Sequence, residues 1–496
     1  MNTAAGQADK ALQASMPRWL FILALLGTLA IILARSATTL ADPDLWGYLS
    51  FGRLFWTQPG FPWHDTFSYL PTKPLWVYHE WLTGVLFYPV YHVAGAAGMQ
   101  LLKYALVVAT VAAVWAAART RGGAGWAILG SLLLISPHFG FSYSPVRAQV
   151  FTYLFFPLTL LILETHRRDG NRRVLWFLAP LFVLWANFHG GFVSGLGIIG
   201  IYAAGALLER RDVVPYLQAG VLASLATLVN PYGYHYWTYL ADALTMPRPQ
   251  IDEWQSFTTA IGAGDYHANA VFFLLLAVIA LMMLLSARKK SLLDAMVLGV
   301  TAYLAFGHVR HQSLFFLAMG VLAPSYVTLG LGEDYFAKKP AAARNWARYL
   351  VTLVFAALLV HGCRSFWGAH PFSLVLRSND SEQNYPVGAV QYLKSKGIKG
   401  NILPEFSWGE YLMWELPGQC RVAMDGRYET VYPREVGEAY FAFMEGWTRG
   451  NRYLEEYPHT LVLTPPSTPA AWYVAHHGWK KIYGDADCVL FQRPQQ

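Results

Sequence analysis

The hydrophobic positions of this chain are concentrated in long, almost uncharged runs that alternate with short polar segments. A helix that crosses a membrane needs about 20 apolar residues, and by this measure the pattern predicts about eleven transmembrane helices. The predicted spans start near Arg18, Gln100, Gly125, Val150, Val174, Phe192, Val213, Ala270, Leu292, Ser313 and Arg348. The first run, WLFILALLGTLAIILA, is longer than most signal-peptide cores and lacks a clear cleavage site, so we interpret it as an uncleaved span.

Two longer polar segments interrupt this pattern. The first, residues 37–97, is rich in Trp, Pro and acidic residues, and its apolar stretch HEWLTGVLFYPVYHVAG is predicted to lie flat at the outer surface as an interfacial helix. The second, residues 363–496, alternates short apolar runs with helical stretches, as is typical of a small α/β domain. The sequence therefore predicts a polytopic α-helical membrane module, residues 1–362, followed by an extracytoplasmic α/β domain, residues 363–496.

Composition and charge placement support this interpretation. The chain has 496 residues, of which 55% are hydrophobic and only 14% are charged, whereas a soluble domain has roughly 25% charged residues. This excludes a soluble globular protein and a disordered chain. The predicted inner loops contain 17 Lys and Arg, and the outer loops before Cys363 contain seven. Because cytoplasmic loops collect positive charge, we expect a cytoplasmic N-terminus, an extracytoplasmic tail and a location in the inner or plasma membrane.

The sequence lacks the motifs that are typical of several functional classes. No P-loop or dinucleotide fingerprint occurs, so direct use of nucleotides is not expected, and the net charge of +7 does not imply a nucleic-acid partner. No charged residue falls in the central part of a predicted span, which argues against an ion-coupled transporter. Cys363, Cys420 and Cys488 match no metal-ligand spacing and allow at most one disulfide.

The first outer segment contains a pair of acids, Asp42 and Asp44, in LADPDLWGYLSFG. Two carboxylates held by Pro43 can share a metal ion, or one can act as a general base while the other tunes its pKa. An Asp that caps the start of a helix explains the same pattern equally well.

Further candidate residues follow along the outer side. His64 precedes Asp65, and His79 precedes Glu80; turn chemistry and the start of the interfacial helix are the alternative roles of these pairs. His189 lies in WANFHGGF, where two glycines allow close approach of a ligand. Arg147 and Arg310 lie at outer ends of spans, either as phosphate ligands or as snorkelling anchors. In the tail, Asp425 and Arg427 form either an acceptor-binding pair or a structural salt bridge.

The stretches DPDLWGYLSFGRLF, DTFSY and HEWL, with weaker echoes in WANFHGGF, NPYGYHYW and IDEW, resemble the GT-C superfamily of membrane glycosyltransferases. The resemblance is to its bacterial branch, which is related to protein O-mannosyltransferases and lipid A aminoarabinose transferases. In that superfamily an acidic residue just after the first span is the catalytic base, and the matching position here is Asp42 or Asp44. Two features depart from the family pattern: Asp-Pro-Asp replaces adjacent acids, and Glu80-Trp81 replaces a proline pair.

The resemblance implies an enzyme that transfers a sugar from a polyprenyl-phosphate-type lipid donor to an extracytoplasmic glycan, lipid or protein acceptor, as in polysaccharide biosynthesis of the cell envelope. The expected catalytic residues are Asp44, Asp42 and Glu80. The expected substrate- and phosphate-binding residues are His79, His64, Asp65, His189, Arg147 and Arg310. A divalent cofactor, Mg or Mn, would be held by Asp42 and Asp44 if the enzyme uses one. A non-catalytic relative that binds or presents a lipid-linked glycan is the main alternative, and a lipid or glycan transporter is the second.

Overall fold

The computed structural model of the protein describes residues 17–143, 146–246, 251, 254–262, 266–286, 291–327, 341–377, 384–447 and 452–494. Helices dominate the first two thirds of the chain. They are α1 Arg18–Arg35, α2 Pro43–Thr57, α3 Trp81–Thr120, α4 Gly125–Tyr143, α5 Gln149–Asp169, α6 Leu178–Phe188, α7 Phe192–Leu208, α8 Val214–Ala226, α9 His235–Thr245, α10 Phe257–Gly262, α11 Tyr266–Leu285, α12 Leu292–Gly307, α13 Gln312–Leu322 and α14 Ala341–Gly368. Short 3₁₀ turns cover Arg172–Phe177, Val309–His311 and Ala323–Ser325.

Each predicted span contains one of these helices. Among the described residues, three helical segments are long and apolar enough to cross a membrane: Arg18–Arg35, Trp81–Thr120 and Asn345–Gly368. Other apolar helices are shorter, such as α8, which has 13 residues. The number of eleven spans and their direction across the membrane therefore stay predictions.

The long helix α3 is broken at Gly95, whose backbone angles are φ 54° and ψ −145°. Only glycine adopts such angles without strain. The break separates the segment predicted to be interfacial from the predicted span that begins near Gln100. The sequence pattern thus divided this stretch at the correct place.

Helix α2 crosses the start of α3 at very close range. A Cβ atom on Gly52 would lie 2.2 Å from the carbonyl oxygen of Gly84, and one on Gly84 would lie 2.8 Å from that of Tyr48. The two glycines therefore allow the backbones to touch. This crossing fixes α2, and with it the acid pair at its N-terminus, against the first turns of α3.

The tail contains the strands β1 Gly400–Pro404, β2 Cys420–Val422, β3 Leu461–Thr464, β4 Lys480–Gly484 and β5 Val489–Gln492. They form one mixed sheet in the order β2-β1-β3-β5-β4, with β2, β1 and β3 parallel and β5 antiparallel to both of its neighbours. Its helices are α15 Val387–Lys396, α16 Gly409–Glu415, α17 Tyr428–Val431, α18 Arg434–Met444, α19 Tyr453–Glu456 and α20 Pro469–His476, with a 3₁₀ turn at Phe406–Trp408. The short apolar runs of the tail, GNILPEF, RVAMDGR, TLVLTPP and DCVLFQR, contain all or part of β1, β2, β3 and β5, whereas the polar edge strand β4 matches no such run. All three cysteines are free thiols.

The sheet-bearing tail packs directly on the first outer segment. Leu40, just after α1, forms a parallel bridge with Val375, just after α14, and Ser68 forms one with Val422 at the end of β2. The indole N–H of the fully buried Trp76 donates to Thr430. The outer segment is therefore held between the helical bundle and the tail.

Candidate active site between the first outer helix and the tail

The two acids of the first outer segment differ in exposure and in role. Asp42 accepts a hydrogen bond from the main-chain N–H of Asp44 over 3.0 Å and caps α2, with Pro43 in the first helical position. The Asp42 side chain is 8% exposed, whereas that of Asp44 is 34% exposed. The helix-capping interpretation therefore holds for Asp42. Asp44, in the first turn of the helix, is the carboxylate that a substrate can reach.

Arg147 binds both acids. Its Nη2 donates to Asp44 Oδ2 over 2.9 Å, and its Nε lies 3.6 Å from Asp42 Oδ1. A guanidinium group thus occupies the position that a shared cation would need. Within the described ranges, no three His, Cys, Asp or Glu side chains are grouped to hold a metal ion. In this arrangement the pair does not fit a divalent metal.

A second cluster surrounds Glu80 at the start of α3. Tyr48 donates its hydroxyl hydrogen to Glu80 Oε2 over 2.8 Å. Nε2 of His79 and Nε2 of His189 lie 3.5 Å and 3.4 Å from Glu80 Oε1. Burial raises the pKa of Glu80, but the neighbouring histidines and Tyr48 outweigh it and bring the pKa to about 2. Glu80 is therefore an anion at neutral pH.

Two hydrogen bonds fix the tautomer of His189. The main-chain N–H of Gly191 donates to His189 Nδ1 over 2.9 Å, and the Thr152 hydroxyl lies 2.8 Å from the same atom. Nδ1 is therefore an acceptor, and the ring proton is on Nε2, which faces Glu80. Burial lowers the pKa of His189 to about 3, so the ring is neutral. Trp185 extends this series of hydrogen bonds by donating its indole N–H to the Thr152 hydroxyl over 2.7 Å.

Tyr48 connects the two clusters. It lies one helical turn after Asp44 on α2, so both side chains point to one face. Burial, together with the charges of Glu80 and Asp44, raises the pKa of Tyr48 well above its usual value. Its hydroxyl therefore stays protonated as a donor. The predicted residues Asp42, Asp44, Arg147, Glu80, His79 and His189 thus form one region, in which the sequence analysis missed Tyr48 and Thr152.

Arg310 approaches this region from the turn before α13. It is half-buried, and its guanidinium carbon lies 4.5 Å from the ring centre of Trp254. Its positive charge is close enough to contribute to the lowered pKa of His189.

The remaining two candidates lie elsewhere. His64 is exposed on the loop. The side chain of Asp65 is buried and accepts a hydrogen bond from Arg427 of the tail over 2.7 Å. Arg427 also binds Asp425, which is fully buried, so these tail residues form the structural salt bridge that was one of the two expected roles.

The tail supplies one acid that the sequence analysis missed. Glu410 Oε2 accepts the main-chain N–H of Gly47 over 2.9 Å, although the two residues are 363 positions apart. The only sequence signal is an acidic residue inside the apolar helical run WGEYLMWEL. Nothing in that run indicates which part of the chain it meets.

No protein-family model and no curated protein matches the sequence of the chain. Its structure is similar to that of the Archaeoglobus fulgidus oligosaccharyltransferase in the apo form, with 12% identity, a TM-score of 0.58, and coverage of 90% of this chain and 70% of that chain. The same transferase tethered with an acceptor peptide gives 11% identity, a TM-score of 0.56, and coverage of 97% and 74%.

A third similar structure is ArnT from Cupriavidus metallidurans bound to undecaprenyl phosphate, with 12% identity, a TM-score of 0.50, and coverage of 96% of this chain and 99% of that chain. A complex of the Archaeoglobus transferase with Zn and sulfate is also similar, with a TM-score of 0.51. At these identities the likeness concerns the fold. It confirms the resemblance to the GT-C architecture that the first outer segment indicated.

Proposed function

We propose that this GT-C-fold chain is an integral membrane glycosyltransferase that takes its sugar from a polyprenyl-phosphate-linked donor and transfers it to an extracytoplasmic acceptor. The observation that carries the proposal is Asp44, a partly open carboxylate in the first turn of α2, beside Arg147 and one turn from Tyr48. An acid just after the first span is the catalytic base in the superfamily that the sequence resembles. Asp42, buried as the helix cap, keeps Asp44 in place.

In the proposed reaction Asp44 removes the proton from an acceptor hydroxyl as its oxygen attacks the anomeric carbon of the sugar. The bond between that carbon and the donor phosphate oxygen breaks, and the lipid phosphate leaves with the electron pair. The product is a new glycosidic bond and polyprenyl phosphate.

The leaving phosphate needs a positive charge, since negative charge develops on it in the transition state. Arg310 suits this role because its guanidinium carbon lies 4.5 Å from the ring centre of Trp254 and its charge acts on His189 in the same region. Glu80, His79 and His189 lie together, with both imidazoles within 3.5 Å of the Glu80 carboxylate. We assign them to binding the sugar hydroxyls, since a carboxylate accepts hydrogen bonds and an imidazole N–H donates them.

One observation favours the alternative of a non-catalytic protein that binds a lipid-linked glycan. The ion pair with Arg147 stabilises the anionic form of Asp44 and so makes it a weaker base. Release of polyprenyl phosphate distinguishes the two functions, because an enzyme forms this product and a binding protein does not.

The test uses the purified full-length protein in lipid nanodiscs with polyprenyl-phosphate sugars and a mixture of envelope glycans as acceptors. Released polyprenyl phosphate and transferred sugar are measured for the wild type, Asp44→Asn and the exposed control Asp212→Asn. We expect turnover in the wild type and the control, and a loss of about 10² to 10⁴ in rate for Asp44→Asn. Donor binding without release of polyprenyl phosphate would favour the binding protein, and wild-type turnover in Asp44→Asn would exclude Asp44 as the base.

A further inference from the structure

The tail contacts α2, which carries Asp42 and Asp44 at its start, through the short helix α16. Besides the bond from Gly47 to Glu410, Arg53 of α2 donates to the carbonyl oxygens of Met413 and Trp414 over 3.0 Å and 3.1 Å. The Arg53 guanidinium also lies 4.4 Å from the ring centre of Trp414. Contacts at two residues of α2, Gly47 and Arg53, therefore fix α16 along that helix. They bring Glu410, which is only 4% exposed, to the helix turn that carries Asp44.

Two glycines make room for the Glu410 carboxyl group. A Cβ atom on Gly47 would lie 2.3 Å from Glu410 Oε2, which no real contact allows. A Cβ atom on Gly426 of the tail would lie 3.0 Å from Glu410 Oε1 and 3.1 Å from Asp44 Oδ1. The other oxygen of Asp44, Oδ2, accepts the bond from Arg147. Asp44 and Glu410 thus flank the same small volume, and the main chain of the tail is its wall.

The surroundings decide the charge of Glu410. Burial raises the pKa of Glu410 well above its usual value, and the charges of Asp44 and Asp425 raise it further, while Arg427 opposes them in part. Because Oε2 accepts the Gly47 N–H, the carboxyl proton belongs on Oε1, beside Asp44. The titratable groups that interact with Glu410 are Asp44, Asp425, Arg427, Tyr78 and Tyr385.

We infer that Glu410 is a positioning residue of the transfer reaction, through which the tail completes the active site. Its neutral carboxyl group presents its proton to the small volume that it shares with Asp44 and so orients the base for the acceptor hydroxyl. An ionised Glu410 would instead repel Asp44, so transfer should decline as pH rises far enough to remove this proton. The inference rests on the proposed function, since it assigns the role of Glu410 in that reaction.

The test compares turnover and its pH profile in four variants of the full-length protein. Glu410→Ala should lower kcat about 10- to 100-fold, because a small displacement of a catalytic group has effects of this size. Glu410→Gln should recover most of that loss and remove the decline at alkaline pH, since an amide donates a hydrogen bond without ionising. Gly426→Ala inserts a methyl group between the two carboxyl groups and should also lower kcat. Gly437→Ala, with nothing within 4 Å of its added methyl, is the matched control.

A second measurement does not depend on turnover. The infrared spectrum of the wild type at neutral pH, minus that of Glu410→Gln, should contain the C=O stretching band of a protonated carboxyl group. Absence of that band, or wild-type turnover and pH profile in Glu410→Ala, would overturn the inference and leave the proposed function standing. If the wild type binds the donor but transfers no sugar, the proposed function fails and the role of Glu410 fails with it.

Discussion

Arg427 of the tail and Asp65 of the first outer segment form an ion pair, with 2.7 Å between Nη1 and Oδ1. Asp425 binds the same guanidinium through both of its oxygens, so one cation holds acids from two distant parts of the chain. The Arg427 side chain is 3% exposed and that of Asp65 is 1% exposed. The pair is therefore shielded from solvent, and its energetic role differs from that of a surface salt bridge.

Arg427→Ala should destabilise the docked tail. It leaves the carboxylates of Asp65 and Asp425 buried without their cation, which typically costs about 3 to 5 kcal/mol. Arg434→Ala removes an exposed pair with Glu438 on the same tail and should cost less than about 1 kcal/mol. Thermal unfolding of the detergent-purified protein and the rate of proteolytic cleavage in the tail measure the difference. Equal stability of the two variants would show that the tail is held by other contacts.

The neutral state of His189 predicts that stability falls in mild acid. Its folded pKa of about 3 is below the ordinary value of 6.5, so the unfolded chain takes up a proton first as pH falls. The folded state loses stability from about pH 6.5 downward, and by pH 5 this loss is about 2 kcal/mol.

His189→Gln keeps a polar side chain but does not titrate, so its melting temperature should fall less between pH 7 and pH 5 than that of the wild type. His459, with a pKa lowered to about 4 mainly by burial, should retain its own contribution in both proteins. The same pH dependence in wild type and variant would contradict a neutral, buried His189.

Arg310→Ala should weaken use of the donor more than use of the acceptor. If Arg310 binds the lipid phosphate, its loss removes a charge-assisted hydrogen bond, worth about 1.5 to 3 kcal/mol. The expected result is a kcat/KM for the donor lowered about tenfold or more, with an unchanged KM for the acceptor. Arg172→Ala, which removes an exposed arginine paired with Asp212, is the control. Equal donor kcat/KM values in both variants would remove Arg310 from the phosphate site.

Gly52→Ala should disturb the crossing of α2 and α3. The added methyl group would overlap the carbonyl oxygen of Gly84, which lies 2.2 Å from the Cβ position. Overpacking of this kind costs about 1 to 3 kcal/mol. Gly130→Ala, where the Cβ meets nothing within 4 Å, should leave the melting temperature unchanged or raise it. If Gly52→Ala and the control have the same melting temperature, the two helices move apart at little cost in free energy.

The sequence pattern predicted the elements that depend on local spacing. Asp42 and Pro43 identify the start of α2 because capping acts within a few residues. The four apolar strands of the tail follow from burial of alternate or continuous apolar positions. The edge strand Lys480–Gly484 is not predicted, because its side chains are mostly exposed and do not alternate between apolar and polar.

The site itself depends on contacts that no spacing encodes. Asp65 looked like a ligand beside His64, yet its partner is Arg427, 362 positions away. Arg147 was expected to bind phosphate, but it binds the acid pair, and Glu410 was not considered at all. Each of these contacts pairs a polar or charged group with a partner far away in the sequence, so only the folded arrangement of the whole chain reveals it.

The bridge between Leu40 and Val375 has a consequence for the order of events during synthesis. It joins the chain that follows the first helix to the chain that follows α14, so the ribosome makes one side of it long before the other. The acid pair of α2 emerges early, but the tail residues Gly426 and Arg427 are made only after α14. A nascent or prematurely terminated chain therefore lacks the tail's contacts with α2, and the candidate site is complete only once the tail has been made and packed against that helix.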